Sequence, residues 1–337
     1  MIQCDSNRYN LEALENRRLL AAFHSFAPPT PSAALHNETT GKDGSVYFVE
    51  ADQQQIGRIL PNKTIVEYTV PDSFGDIGKL VTARDGSIWF NTSNADYPLL
   101  GHLTPRGKLT AVEINADAKL ITASSDGSVW AVGSDLGAAQ VSSRGSVKYF
   151  STNTIQNASA ITAGRKGDLY FLQDIVSVDV HGTEYDPQLY HATLSHGHLL
   201  EQNLFSNEHT FNAYPTTDLL LAPNGNLYFN VGGQPMLRYL TPLRYGDLSG
   251  VYSPNIGGLG DPILTNASNL TAGPDGNVWF VDRVAGGKVW SVDSQLNVSH
   301  YDLPGGAAST PFAIVKGAGH TLWITDEAGG VIDELVL

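Results

Sequence analysis

The segment from Gln173 to His191, QDIVSVDVHGTEYDPQLYH, crowds Asp179, His181, Glu184, Asp186 and His191 together, and His209 follows within SNEHTFNAYPTTD (206–218). Imidazoles beside carboxylates are the raw material of proton transfer and of metal binding, so His181, His191 and His209 are the candidate catalytic residues, with Glu184 as a partner. Asp179, Glu184 and Asp186 together with Tyr185, Phe211 and Tyr214 also form a candidate ligand-binding set, acidic and aromatic at once. The spacing matches no established ligand pattern, and a solvated polar loop is the alternative reading. Other candidates carry less. His196 and His198 of SHGH occupy a turn, GGLGDP (257–262) lacks the Lys-Ser/Thr of a phosphate loop, and His102 falls on an outer strand. No nucleophile elbow or calcium-binding helix-loop-helix pattern occurs.

A repeat supplies the elements that must position these residues. KDGSVYFVE, RDGSIWFNT, SDGSVWAVG, RKGDLYFLQ, PNGNLYFNV, PDGNVWFVD and AGHTLWITD place glycines at 44, 86, 127, 167, 225, 276 and 319. Seven copies about forty residues apart give the period of a four-stranded propeller blade. In each copy a short apolar strand A reaches an Asp-Gly or Asn-Gly turn, whose positive-φ residues suit a tight hairpin. Strand B follows and is apolar on both faces, as in a strand covered by neighbouring blades. Its Tyr47, Trp89, Trp130, Tyr170, Tyr228, Trp279 or Trp323 is a wedge for the gap between blades. Strands C and D form a second hairpin. The fold class is therefore all-β, a seven-bladed β-propeller of four-stranded antiparallel blades. The last copy ends without a strand D, and AAFHSFAPPTPSAAL (21–35) resembles VSHYDLPGGAASTPFAI (298–314). About Leu19 to Ala27 is thus expected to close the ring as the outer strand of blade seven. The expected layout is an N-terminal segment of residues 1–18 and a propeller over 19–337.

The formal net charge is −14, and up to Phe26 three basic residues balance three acidic ones, so the excess lies in the body. Such a body is not expected to bind nucleic acid or anionic lipid. No apolar run nears the roughly 20 residues of a membrane span, so no membrane insertion is expected. Cys4 is the single cysteine, which excludes disulfides and thiol chemistry in the body. A monomer is expected. The top face of such a propeller, which carries the B–C loops and D–A crossovers, would receive the 173–191 insertion and the long crossovers that follow it. Long loops on a rigid scaffold are where binding resides.

The phrase GPDGNVWFVD, then GKVWSV and VSHYDLP, resembles the repeat of the virginiamycin B lyase-like family of seven-bladed propellers, over about Ser32 to Leu337. The resemblance implies an acidic residue three positions after the strand-B aromatic. Those positions hold Glu50, Thr92, Gly133, Gln173, Val231, Asp282 and Asp326. Glu50, Asp282 and Asp326 fall in blades that adjoin once the ring closes, and three oxygen donors there could hold Mg²⁺ or Ca²⁺. The alternative is that each carboxylate caps its own loop. The resemblance also implies a Glu-x-His pair in the antibiotic-cleaving members. Two residues beyond the acidic positions stand Asp52, Asn94, Asp135, Ile175, Gly233, Val284 and Ala328, none a histidine. The expectation is a propeller that binds a small molecule, glycan or protein through its top face without catalysis. The alternative is a metal-dependent lyase cleaving a C–O bond, or a hydrolase.

LEALENRRLLAAF (11–23) resembles the L-E-x-R-x-L-L motif at the N-terminus of exported planctomycete proteins. It is too short in apolar residues for an ordinary signal peptide. An extracellular, periplasmic or cell-envelope location in a bacterium is the expectation.

Overall fold

The computed structural model describes residues 22–30, 34–94, 96–152, 154–164, 167–179, 182–204, 218–230, 237–240, 267–283, 287–295 and 297–337. Seven antiparallel sheets follow one another along the chain, and among the described residues there is no α-helix. Blade one consists of strands A to D at Leu35–Thr40, Val46–Glu50, Gln55–Ile59 and Ile65–Thr69. Blades two, three, four and six repeat this order. In blade five three strands are described, Leu219–Leu221, Leu227–Asn230 and Leu237–Leu240.

The ring closes as the repeat predicts. Blade seven takes Pro311–Lys316, Thr321–Asp326 and Val331–Val336 from the C-terminal end and Ala22–Phe26 from the N-terminal end. The register runs antiparallel from Ala22 opposite Val336 to Phe26 opposite Ile332. Of the predicted Leu19 to Ala27, the strand ends at Phe26, and residues 19–21 lie outside the described residues. The N-terminal segment of residues 1–18 lies outside the described residues.

Seven buried apolar clusters bind the blades, each drawn from two adjacent blades. The strand-B aromatics fill these seams: Trp89 packs toward blade three, Trp130 toward blade four and Trp323 toward blade one. The A–B turn glycines have φ between +63° and +96°, the left-handed region that any side chain would strain.

Strand C shows a second use of glycine. Gly57 and Gly101 lie directly across from Phe48 and Phe90. A Cβ on Gly101 would stand 1.9 Å from the Phe90 ring, so the ring covers the bare backbone. Gly101→Ala is accordingly expected to cost about 1–3 kcal/mol by overpacking. Equal denaturation midpoints for the two proteins would show that the ring can move aside.

The blade-four insertion is not a loop, as its polar composition suggested. Strand B runs from Leu169 to Asp179 and strand C from Gly182 to Ser195, paired without a break down to Asp179 opposite Gly182. Strands A and D flank only its base, ending at Gln173 and Tyr190. The remainder is a two-stranded ribbon projecting from the top face. The alternation that builds it was present in IVSVDV.

Candidate functional site

Among the described residues a polar cluster forms where blades six, seven and one adjoin on the top face. Strand A of blade one carries a β-bulge at Asn37, which has φ +27° and shifts the register between His36 and Glu38. Bulges redirect side chains. Here His36 comes against Phe312 of blade seven, their rings stacked 4.3 Å apart. A second asparagine, Asn269 of blade six at φ +53°, donates its Nδ2 to the Phe312 carbonyl at 2.6 Å and ties down the strand beneath the ring.

Two charged residues complete the corner. Arg283 follows strand B of blade six, and its guanidinium lies 4.1 Å from the Phe312 ring centroid. His36 and Arg283 thus both lie against the Phe312 ring. Glu327 follows strand B of blade seven and joins them. One oxygen lies 3.4 Å from His36 Nε2, and the other accepts from Arg283 Nη2 at 3.1 Å. All three polar side chains are about one third exposed. Imidazole, carboxylate and guanidinium from three blades therefore meet water at the mouth of the channel. Anions can be held there by Arg283, and a proton can be taken or given at His36.

The three predicted metal ligands stand beside this corner but do not assemble. Among the described residues no three of His, Cys, Asp and Glu gather in a metal-holding group. Asp326 Oδ1 accepts the backbone N–H of Thr310 at 2.8 Å and of Gly329 at 3.2 Å, which caps its own loop. Asp282 is fully buried at the end of its strand. Glu50 is also fully buried, and both its oxygens lack a hydrogen-bond partner. Burial, and then the neighbouring charge of Glu67, push its carboxyl up to about 7. Among the described residues these carboxylates do not form the triad expected to hold Mg²⁺ or Ca²⁺. Either ion at millimolar concentration is expected to leave the melting temperature unchanged. A rise lost in Glu50→Gln/Asp282→Asn/Asp326→Asn would restore the metal site.

The other sequence candidates are distributed differently from the expectation. His191 belongs to the body of strand C in blade four, where its ring stacks on Tyr170 at 4.5 Å and its Nε2 lies 3.4 Å from Asp168 in the A–B turn. Blade two repeats this brace with His102 stacked 4.3 Å from Trp89, and blade one with Arg58 paired to Asp43 at 2.5 Å. His191 is thus a bottom-face blade brace, away from the top face where the sequence put it. Asp179, Glu184, Tyr185 and Asp186 lie on the projecting ribbon rather than in a loop. The register puts Asp179, Glu184 and Asp186 in one phase of the alternation and Tyr185 in the other. His181, His209, Phe211 and Tyr214 lie outside the described residues.

His36, Arg283, Phe312 and Glu327 escaped the sequence analysis. The signal for two of them was close at hand, since Arg283 and Glu327 directly follow the acidic positions 282 and 326. His36 sits in a strand A that has no turn or repeat mark of its own.

A ring of seven blades with a polar corner at its channel mouth defines a β-propeller with a ligand-accessible top face. The family model of the virginiamycin B lyase family matches residues 13–185, more than half of the chain, and the chain belongs to that family. A comparison with curated protein sequences finds no match. Among solved structures the fold is similar to a streptogramin B lyase, at 18% identity and TM-score 0.71 over 94% of this chain and 97% of that one. It is similar to virginiamycin B lyase from Staphylococcus aureus at 17% identity and TM-score 0.72, covering 94% and 99%. YCF48 bound to D1 peptide matches at 14% identity and TM-score 0.64, covering 94% and 95%. At such identities the likeness is one of fold.

Proposed function

We propose that this chain is a binding propeller, working outside the cytoplasm, whose channel-mouth corner holds an acidic group of a small molecule. The observation that carries the reading is the arrangement of His36, Arg283 and Glu327 around Phe312. Glu327 acts as an internal counter-ion, and a ligand carboxylate would replace it on Arg283 while the ligand body rests on the top face. A glycan or a protein segment that presents a carboxylate would use the same anchor. YCF48, bound to a peptide, is a propeller of similar shape and supports binding by such a scaffold. The extracytoplasmic reading rests on the LEALENRRLLAAF segment. Secretion of a reporter fused to residues 1–30, against retention of one lacking Leu11 to Leu20, tests it.

The binding test is thermal unfolding with millimolar mono-, di- and tricarboxylic acids. A bound ligand stabilises the native state by mass action, so at least one acid raises the melting temperature, and Arg283→Gln abolishes the rise. A flat response across the panel in the wild-type protein would defeat the reading.

The His36–Glu327 pair favours a second reading, cleavage of a C–O bond by elimination. Glu327 would hold the imidazole, whose other nitrogen would take a proton from the carbon next to a carbonyl. The electron pair would form a carbon–carbon double bond as the ester C–O bond breaks, and the leaving carboxylate would depart toward Arg283. Structural likeness to streptogramin B and virginiamycin B lyases supports this family chemistry. Opening of a cyclic depsipeptide ester that survives chelator but not His36→Ala would support elimination without metal. No turnover, with carboxylate binding intact, would leave binding as the function.

A further inference from the structure

The bottom face carries a second site, unrelated to the channel-mouth corner. A cleft of about 600 Å³ opens between blades two and three, on the side of the A–B and C–D turns. It lies within the size range of ligand pockets. Arg84 and Lys148 stand at its edges, and Ser142, Ser143, Ser146 and Gln140 line it.

Two features direct its chemistry toward anions. First, its two carboxylates keep their charge but are held by their own turns rather than by Arg84 or Lys148. Asp85 Oδ1 accepts the Ser87 N–H at 3.0 Å and hydroxyl at 2.5 Å, and Asp126 Oδ1 accepts the Ser128 N–H at 2.9 Å and hydroxyl at 2.6 Å. Asp126 Oδ2 also accepts Gln140 Nε2 at 3.2 Å. Arg84 and Lys148, by contrast, have no carboxylate partner among the described residues. Arg84 makes one long bond, 3.5 Å, to the Ser125 carbonyl, and Lys148 Nζ lies 4.9 Å from the Phe150 ring centroid. Second, the wider rim is basic in a strongly acidic protein. Lys42, Arg106, Lys108 and Arg144 are all exposed on the bottom turns of blades one to three. The stem of Arg84 passes beside the A–B turn of blade three, its Cβ and Cδ 3.6 and 3.8 Å from where a Cβ on Gly127 would stand.

We infer that this cleft binds a short acidic oligosaccharide, through Arg84 and Lys148 to its carboxylate or sulfate groups and through the serines and Gln140 to its hydroxyls. Charge-assisted bonds supply the anchor, and neutral donors and acceptors suit a polyhydroxylated chain. Among the described residues no aromatic side chain lines the cleft for stacking of nucleobases. The net charge of −14 opposes long polyanions that would wrap beyond the basic rim.

The test is calorimetric titration of the full chain with oligo-alginate, a heparin oligosaccharide, a malto-oligosaccharide and a single-stranded oligonucleotide. One or both acidic sugars bind, and Arg84→Gln/Lys148→Gln weakens that binding by about tenfold or more. Lys119→Gln, on the opposite face, binds like the wild type. Alginate alone would identify uronate as the recognised group and heparin alone would identify sulfate. The inference is overturned if neither acidic sugar binds. It is equally overturned if the neutral sugar or the oligonucleotide binds as well as the acidic sugars, or if the double variant, folded by its melting curve, binds unchanged.

Discussion

A chain that begins at Ala27 is expected to unfold at a far lower denaturant concentration than the full chain. Ala22–Phe26 is the outer strand of blade seven, hydrogen-bonded along Val331–Val336. Phe26 packs 5.4 Å from Trp323, and Phe23 packs on the seam between blades six and seven. Ser25 Oγ donates to Asp333 Oδ1 at 2.5 Å, a carboxylate that is otherwise fully buried. Burying a large apolar side chain contributes about 1.5–3 kcal/mol, and each ladder hydrogen bond about 1. The sum is on the order of 5 kcal/mol or more, comparable with the whole margin of a domain. The truncated ring also presents an unpaired strand edge, so aggregation accompanies the loss. A peptide spanning residues 19–30, added in trans, should recover part of the midpoint. An unchanged midpoint in the truncated chain would mean that the strand decorates the ring without closing it.

Replacement of Glu50 by Gln is expected to change how stability depends on pH. The carboxyl is pushed up to about 7 in the folded protein, from 4.5 when free, by burial and by the charge of Glu67. Glu67 itself accepts the Thr30 N–H at 2.9 Å and the Thr30 hydroxyl at 2.8 Å, so it holds the segment that leads from the closing strand into blade one. Between pH 4.5 and 7 the folded state keeps the Glu50 proton that the unfolded state releases. The stability from that proton is complete below 4.5 and is lost as pH rises through 7. At 1.36 kcal/mol per unit the loss approaches about 3 kcal/mol. A glutamine in the same cavity does not ionise. Glu50→Gln should therefore be more stable than the wild type at pH 8, with the difference shrinking toward pH 4. Burial also raises the carboxyls of Glu38 and Asp333, but both are shared by wild type and variant, so the difference isolates Glu50. A gap between the two proteins that stays constant from pH 4 to 8 would sink the assignment.

The candidate site was legible in the sequence only in part. The corner of blades six, seven and one was identified from Glu50, Asp282 and Asp326, and the exposed polar groups do sit at that corner. They are the neighbours Arg283 and Glu327, because strand B ends by turning the acidic residue inward and the next residue toward solvent. The histidine that joins them comes from the bulged strand A of blade one, a strand whose sequence, LHNETT, has no feature that announces a site. Of the candidate histidines His181, His191 and His209, the described residues include His191 alone. His191 braces a blade from the side of its A–B turn.

Blade number, strand order, turn positions and even the closing strand could be read from the chain alone, because they rest on local chemistry. A turn glycine needs a positive φ wherever it stands, and a Trp or Tyr wedge is needed at every blade seam. Even the ribbon of blade four was written in the alternation of IVSVDV, though its charge content argued for a loop. What the chain could not disclose is which residues share the channel mouth. His36 and Glu327 lie 291 residues apart and meet because the ring closes. The same holds for the cleft between Arg84 and Lys148, whose cations are left without a carboxylate partner among the described residues because Asp85 and Asp126 bond within their own turns. Local sequence determines each blade, whereas the sites lie at junctions between blades and are decided by the packing of the ring.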